Sequence, residues 1–372
     1  MDKDNFSKGV HAYVRLIHLY LNNKEDSEYE VNDKRLAFFT RLSKANSLSA
    51  LLYLTLKNTK VKIDKDKLNS LEANYAANIK KGIGFDKERK ELYQYLADNK
   101  INYLPLKGIV LKDYYPDAYA REYADNDIMF DDDKTDIVKQ FFVDRDYQVD
   151  LFKTYNHDTY TKKPFYNFEM HRALFYESKE NKKFIPYFAN ILNRSPIKEG
   201  YEHYLTNEDF YIYFTAHSYK HYRASGCGLR TLVDYYVFLK NNKLDFDYVN
   251  QELAKIDLLE FSNNISSLSL KVFDDETLNQ DEEEMLLFIA SSGTYGTIEH
   301  RVERGIKEKG KFKYLWSRVF PPLSFYKTFY SRAYKSKVLI PFAWFYRLIK
   351  SPKKASKELK IISKQKKVKS KQ

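Results

Sequence analysis

Apolar residues recur every three or four positions at both ends of this chain and gather into short unbroken runs between them. Phe6, Val10, Val14, Ile17, His18 and Leu21 line one helix face, and Leu36, Phe39, Leu42, Leu48, Leu51, Leu52 and Leu54 repeat the pattern less regularly. Residues 66–99 extend the helical texture, with an interruption expected at Gly82-Ile83-Gly84, because glycines weaken a helix. From Ile101 the period shortens. Residues 101–106, 126–130, 147–152 and 166–170 are strand-length and aromatic or β-branched, and helical stretches over 108–115 and 135–145 separate the first three. Helix periodicity returns after residue 205 through Phe210, Ile212, Phe214, His217 and His221, then Leu229, Leu232, Val233, Tyr236 and Val237, and later Met285, Leu286, Phe288 and Ile289. The order predicts an α+β protein, mostly helical. It comprises an N-terminal helical subdomain (1–98), a small mixed-sheet α/β core (99–200), a second helical region (201–310) and a C-terminal arm and tail (311–372).

With 372 residues, 43% hydrophobic and 16% aromatic, and only 11 Gly and 9 Pro, the chain can bury a substantial core, which excludes a disordered or fibrous protein. The single cysteine, Cys227, excludes an internal disulfide and a thiolate zinc centre; it sits between Gly226 and Gly228 with no base beside it and reads as packing. No apolar leader follows Met1, so a cytoplasmic location is expected. The most apolar late stretch, Val338–Ile349, has 12 residues including Pro341 and Arg347 and is too short to span a bilayer.

Charge divides the chain. Residues 301–372 carry 22 Lys and Arg against 3 Glu, a net of +19, which leaves −7 for residues 1–300 out of a total of +12. A basic groove through the body is therefore not expected; the C-terminus reads either as a basic arm that meets an anionic surface, the inner face of a membrane first and nucleic acid second, or as a solvated tail. Aromatics and cations alternate from Arg318 to Arg332 and from Pro341 to Arg347, a composition suited to a bilayer interface and to single-stranded nucleic acid. Lys350–Gln372, with ten Lys and one Glu, should fray.

Candidate chemistry lies in the middle. Asp125 and Asp127 are two apart on an expected strand, so their carboxylates share a face about 6–7 Å apart at the Cα atoms, where they repel unless a hard divalent cation sits between them. Leu106-Lys107-Gly108 ends one strand and opens a helix, an arrangement that turns backbone N–H groups and the Lys107 ammonium toward a phosphate. Glu169 supplies a third carboxylate if its strand lies beside that of Asp127, the minimum set for two-metal phosphoryl transfer. His217 and His221 share a helix face and, with His171 or Asp234, could be drawn as a metal site; core hydrogen bonding or a pocket wall is the preferred reading. Arg230 and Asp234, one helical turn apart, are expected to pair, with Arg230 also within reach of a phosphate.

These residues together resemble the nucleotidyltransferase superfamily typified by DNA polymerase beta, and within it a bacterial family of uncharacterised nucleotidyltransferases. The shared order is Leu106-Lys107-Gly108, Tyr115-Pro116, Arg121, Asp125-Asn126-Asp127-Ile128-Met129 and Glu169-Met170-His171, followed by His217, His221, Gly228, Leu232 and Asp234. Ser292-Gly293-Thr294-Tyr295-Gly296 and Phe320-Pro321-Pro322 also fit, so the resemblance runs over about residues 90–348. Two departures stand out: Asn126 is polar where the family has an apolar residue, and Ile109 follows Gly108 where many active members carry Ser.

The resemblance implies a Mg²⁺- or Mn²⁺-dependent enzyme. Asp125, Asp127 and Glu169 would be its catalytic and metal-binding residues, and Lys107, Gly108, Arg121 and Arg230 would bind the nucleotide. It implies a nucleoside triphosphate such as ATP as donor and an acceptor that is a sugar or other small molecule of surface-polysaccharide or natural-product metabolism, with RNA second. The missing hydroxyl after Gly108 keeps a non-catalytic, membrane-associated accessory protein as the alternative, and transfer of a phospho-substituent by a related Asp-x-Asp fold as a third.

Overall fold

The computed structural model describes residues 3–294, 296–321, 323, 325–326, 330–350 and 361. Helices open the chain where the periodicity predicts them: α1 (Lys3–Leu21), α2 (Asp33–Asn46), α3 (Ser49–Asn58) and α4 (Lys65–Asp98). α4 runs unbroken for 34 residues through both glycines, so the expected interruption does not occur. A Cβ on Gly82 would press against the rings of Tyr119 and Tyr123, and one on Gly84 against Tyr166 and Phe165. The glycines serve close approach of neighbouring rings, and packing overrides their weak helix propensity.

The α/β region forms one sheet of seven strands: β1 (Tyr103–Pro105), β2 (Asn126–Phe130), β3 (Gln148–Leu151), β4 (His157–Lys162), β5 (Tyr166–His171), β6 (Ile197–Glu199) and β7 (Glu202–His203), in the order β3-β4-β5-β2-β1-β7-β6. It is mixed as expected: β2 runs parallel to β5 and β1 to β7, and the other neighbours are antiparallel. Between strands lie the short α5 (Gly108–Leu111), α6 (Thr135–Val143), α7 (Phe184–Phe188) and α8 (Ile191–Arg194). Helices α9 (Asn207–Ala224), α10 (Leu229–Asn241), α11 (Phe246–Lys255), α12 (Leu259–Asp274) and α13 (Gln280–Ser292) follow.

One face of the sheet is apolar. Ile128, Phe130, Tyr160, Phe168 and Met170 form a buried cluster with Leu92 and Leu96 of α4 and Val138, Phe141 and Phe142 of α6. Each such side chain contributes about 1.5–3 kcal/mol by burial. A one-residue slip of β2 or β5 would turn this set outward, so the apolar face also fixes which residues the opposite face presents.

The chain forms two compact units, residues 1–220 with 227–294, and residues 221–226 with 295–372. In the second, α14 (Ile298–Lys309) and α15 (Lys311–Val319) enclose Val302 and Tyr314, with Ile298, Ile306, Leu315 and Ile361 packed around them. Helices over Ser331–Lys335 and Ile340–Lys350 follow, and Trp344 Nε1 donates to the Val319 carbonyl at 2.8 Å. Apart from Lys350 and Ile361, the tail expected to fray lies outside the described residues. Among the described residues no helix is long and apolar enough to cross a membrane.

Candidate active site

Strand register assembles the acidic face. The parallel β2–β5 pairing sets Asp127 opposite Glu169, and the antiparallel β4–β5 pairing sets His157 opposite His171. Strand alternation sends these four away from the face that carries Ile128, Phe168 and Met170. Asp125 lies one residue ahead of β2. A carboxylate oxygen from each of Asp125, Asp127 and Glu169 lies within 4.8 Å of the other two, so the three expected carboxylates meet. Asn126, the polar departure, points the other way and accepts from Arg89 Nη1 of α4 at 2.7 Å; Arg89 is in turn paired with Asp86. The departure therefore ties the strand to α4.

Charge within this face is unevenly shared. Lys107 Nζ reaches Asp127 Oδ1 at 2.5 Å, and His171 Nε2 reaches the same oxygen at 2.8 Å. Burial alone would raise the Asp127 carboxyl, but Lys107 and His171 hold it well below the usual carboxylate range. Burial would likewise lower the Lys107 ammonium, and Asp127 with its acidic neighbours outweighs that and holds it high. Asp125 makes no hydrogen bond among the described residues, and burial followed by repulsion from Asp127 raises its carboxyl. The same two causes push Glu169 up to about 8. Burial, then the charges of His171 and Lys107, lower His157 to about 4, and burial with Lys107 brings the Lys220 ammonium of α9 down to about 8.

Asp127 is thus contacted by both Lys107 and His171, while Asp125 and Glu169 sit close to it with no lysine or arginine in ion-pair contact among the described residues. A divalent cation held by the three would offset the repulsion that raises the Asp125 and Glu169 carboxyls, and oxygen donors at this spacing suit Mg²⁺ or Mn²⁺. The residues fit such an ion.

The turn after β1 differs in detail from the expectation. The left-handed backbone falls on Lys107 (φ 48°), not on Gly108. Gly108 is needed for another reason: a Cβ there would overlap the Arg121 guanidinium. The helix expected over 108–115 is cut to α5 plus a 3₁₀ turn at Lys112–Tyr114. Arg121 is nearly buried and donates from Nε and Nη2 to the two oxygens of Asp234 at 2.8 and 2.9 Å, and the Tyr115 hydroxyl donates to Asp234 Oδ1 at 2.7 Å. The expected Arg230–Asp234 pair is therefore not formed. Arg230 Nη1 instead donates to the Glu122 carbonyl at 3.3 Å. Lys107, Arg230 and Arg121, the cations expected to bind the nucleotide, all act electrostatically on Asp125.

Two groups of metal-capable side chains occur among the described residues, Asp125-Asp127-Glu169 and His157-Glu169-His171, and neither contains His217 or His221. His171 joins a cluster, but with His157, which the sequence reading missed. The available signal was the alternation in His157-Asp158-Thr159-Tyr160-Thr161-Lys162, a half-buried strand whose outward positions are polar. Lys220 and Tyr213, which border Lys107 electrostatically, were missed too; they lie on α9, far away in sequence, and no local pattern marks them. Cys227 is buried and its thiol is pushed up to about 12, in keeping with a packing role.

A family model described as uncharacterised nucleotidyltransferase matches residues 33–274. No curated protein and no solved structure gives a significant match.

Proposed function

We propose that this chain, which belongs to the uncharacterised nucleotidyltransferase family, transfers a nucleoside monophosphate from a nucleoside triphosphate, ATP first among the donors, to a sugar or other small-molecule acceptor and releases pyrophosphate. The observation that carries this reading is the convergence of Asp125, Asp127 and Glu169 within 4.8 Å beside Lys107. Asp125, Asp127 and Glu169 would hold Mg²⁺ or Mn²⁺, which when bound supplies the positive charge that draws the triphosphate in and steadies the departing pyrophosphate. Lys107, released from Asp127 by that exchange, would contact the phosphates with the Gly108 backbone. Arg230 and the Arg121 group that faces Gly108 would complete the cationic rim. The acceptor oxygen would form its bond to the α-phosphorus as the bond to pyrophosphate breaks, and Glu169 would orient that oxygen and take its proton.

The mode of triphosphate binding differs from that of members with Ser after Gly108, because Ile109 offers no hydroxyl; Lys107 takes that place in the proposal. The acceptors to test first are those of surface-polysaccharide and natural-product metabolism. Wild-type protein with Mg²⁺ and each of the four triphosphates should release pyrophosphate when the right acceptor is supplied, and Asp127→Asn should bind no nucleotide in a Mg²⁺-dependent way. Equal Mg²⁺-dependent nucleotide affinity in the two proteins would overturn the assignment. Binding without turnover on any acceptor would favour the accessory-protein reading.

A second proposal concerns location: a cytoplasmic protein that attaches to the inner face of a membrane through residues 311–372. Supporting it are the exposed Phe312, Trp316, Phe342 and Phe345 in a stretch, residues 311–350, that contains nine Lys and Arg and no acidic residue. Cations near an anionic bilayer contribute about 1 kcal/mol each. Deleting residues 351–372 should weaken binding to phosphatidylserine vesicles, and Phe342→Ser should weaken it further; equal binding to neutral and anionic vesicles would refute the idea.

A further inference from the structure

Beside the three carboxylates lie two imidazoles, His157 and His171, that the proposed transfer reaction does not use. We propose that His157, Glu169 and His171 form a second cation site that takes a first-row transition ion such as Mn²⁺, Co²⁺ or Zn²⁺, with Glu169 shared between it and the carboxylate site. It rests on the nucleotidyltransferase reading only for the identity of its neighbour; its own ligands stand independently.

The geometry is that of a set ready to close on an ion. His157 Nε2 lies 3.9 Å and His171 Nε2 3.7 Å from the same oxygen, Glu169 Oε2, and the two rings are 5.1 Å apart between centroids. Nitrogen and oxygen ligands at about 2.0–2.2 Å from one ion stand roughly 3–4 Å from each other, so rotamer adjustments suffice and the backbone need not move. The rings are carried by a directly paired position of two adjacent strands, His157 on β4 and His171 on β5, and Glu169 lies two residues from His171 on the same face. Rigid strands hold all three donors.

His157 Nδ1 is buried and has no hydrogen-bond partner among the described residues, and Nε2 is the ring atom that faces Glu169. His171 Nε2 donates to Asp127 Oδ1 at 2.8 Å in the free site, and Asn156 Nδ2 lies 3.4 Å from Nδ1; ligation would exchange the Asp127 bond for the ion and move the ring proton to Nδ1. Asp127 would not be stranded, since Lys107 already occupies the same oxygen. Two imidazole nitrogens and a carboxylate favour a borderline cation over Mg²⁺, whereas Asp125 and Asp127 offer oxygen alone. The face would then hold two unlike cations side by side, one chosen by nitrogen and the other by oxygen.

Co²⁺ titration of the full-length, nucleotide-free protein tests this through its visible absorption, which reports imidazole ligation without any turnover. Wild type should show saturable Co²⁺ bands that excess Mg²⁺ does not displace. His157→Gln and His171→Gln should each lose at least about tenfold in Co²⁺ affinity, the lower bound even for an outer partner of a metal ligand, while near-UV circular dichroism shows each variant folded. Asp125→Asn should keep the bands. Identical Co²⁺ affinity and spectra in wild type and His157→Gln would overturn the proposal, as would complete displacement by Mg²⁺. Wild type that binds a triphosphate with Mg²⁺ yet shows no Co²⁺ bands refutes this inference alone. Co²⁺ bands without Mg²⁺-dependent triphosphate binding would leave it standing and refute the proposed function.

Discussion

Asp127 and Asp234 are both buried carboxylates with a cation against them, yet their surroundings differ in completeness. Asp234 receives Arg121 on both oxygens and Tyr115 on one, a planar fork facing a planar acceptor. Around Asp127, one oxygen takes both Lys107 and His171, while Asp125 and Glu169 lie within 4.8 Å and bring further negative charge. The first cluster is saturated by its own side chains and acts as a clamp between the segment before β2 and helix α10. The second is left short of positive charge, and that deficit makes it a place for something to bind. Burial of a carboxylate therefore says little about its role until the donors around it have been counted.

Four substitutions test the contrast. Asp234→Ala leaves the Arg121 guanidinium buried without its partner and should cost about 3–5 kcal/mol, read as a lowered denaturation midpoint in urea. Were it neutral, the clamp would be no clamp. Within the carboxylate face, Asp125→Asn removes a charge that repels Asp127 and should leave the metal-free melting temperature equal or higher while abolishing Mg²⁺-dependent nucleotide binding. Asp127→Asn should abolish that binding as well, but at a cost of about 1–3 kcal/mol, because the hydrogen bonds from Lys107 and His171 lose their charged acceptor. If the two variants melt alike, charge is shared around this face more evenly than the distances indicate. Asp133→Asn, an exposed carboxylate beside Lys134, should change stability by less than about 0.5 kcal/mol and leave nucleotide affinity untouched. Asp131 is a poorer control, since its Oδ2 accepts from the Asn102 amide at 2.8 Å.

How much of this was legible in the sequence follows from which signals are local. Strand alternation and the spacing of Asp125, Asp127 and Glu169 are local, and the register of β2 against β5 brought them together as expected. The apolar runs gave β1, β2, β3 and β5 because those strands carry aromatic or branched residues. β4 was passed over because only Tyr160 of its core-facing positions is large and apolar; Asp158 and Lys162 hide the pattern. The partner of Asp234 was misread for a different reason. Arg230 is a helical turn away and Arg121 is 113 residues away, and sequence proximity favours the former while the fold selects the latter. The unbroken α4 shows the same limit, since the rings that require Gly82 and Gly84 come from later segments.

The Arg121–Asp234 pair also bears on the order in which a ribosome delivers the chain. Arg121 and Tyr115 emerge 113 and 119 residues ahead of the carboxylate that satisfies them, and Tyr103 must wait for Glu202 to extend the sheet beyond β1. Translation at about 5–20 residues per second leaves an interval of many seconds in which the guanidinium of Arg121 has no acceptor and the edge of β1 has no neighbour. The loop that must close is long, so its closure is slow compared with helix formation in residues 3–98. The sheet and the Arg121–Asp234 clamp are therefore completed late, after the helical scaffold, and a chain arrested before α10 would present its acidic cluster on an unfinished sheet that chaperones and proteases can reach.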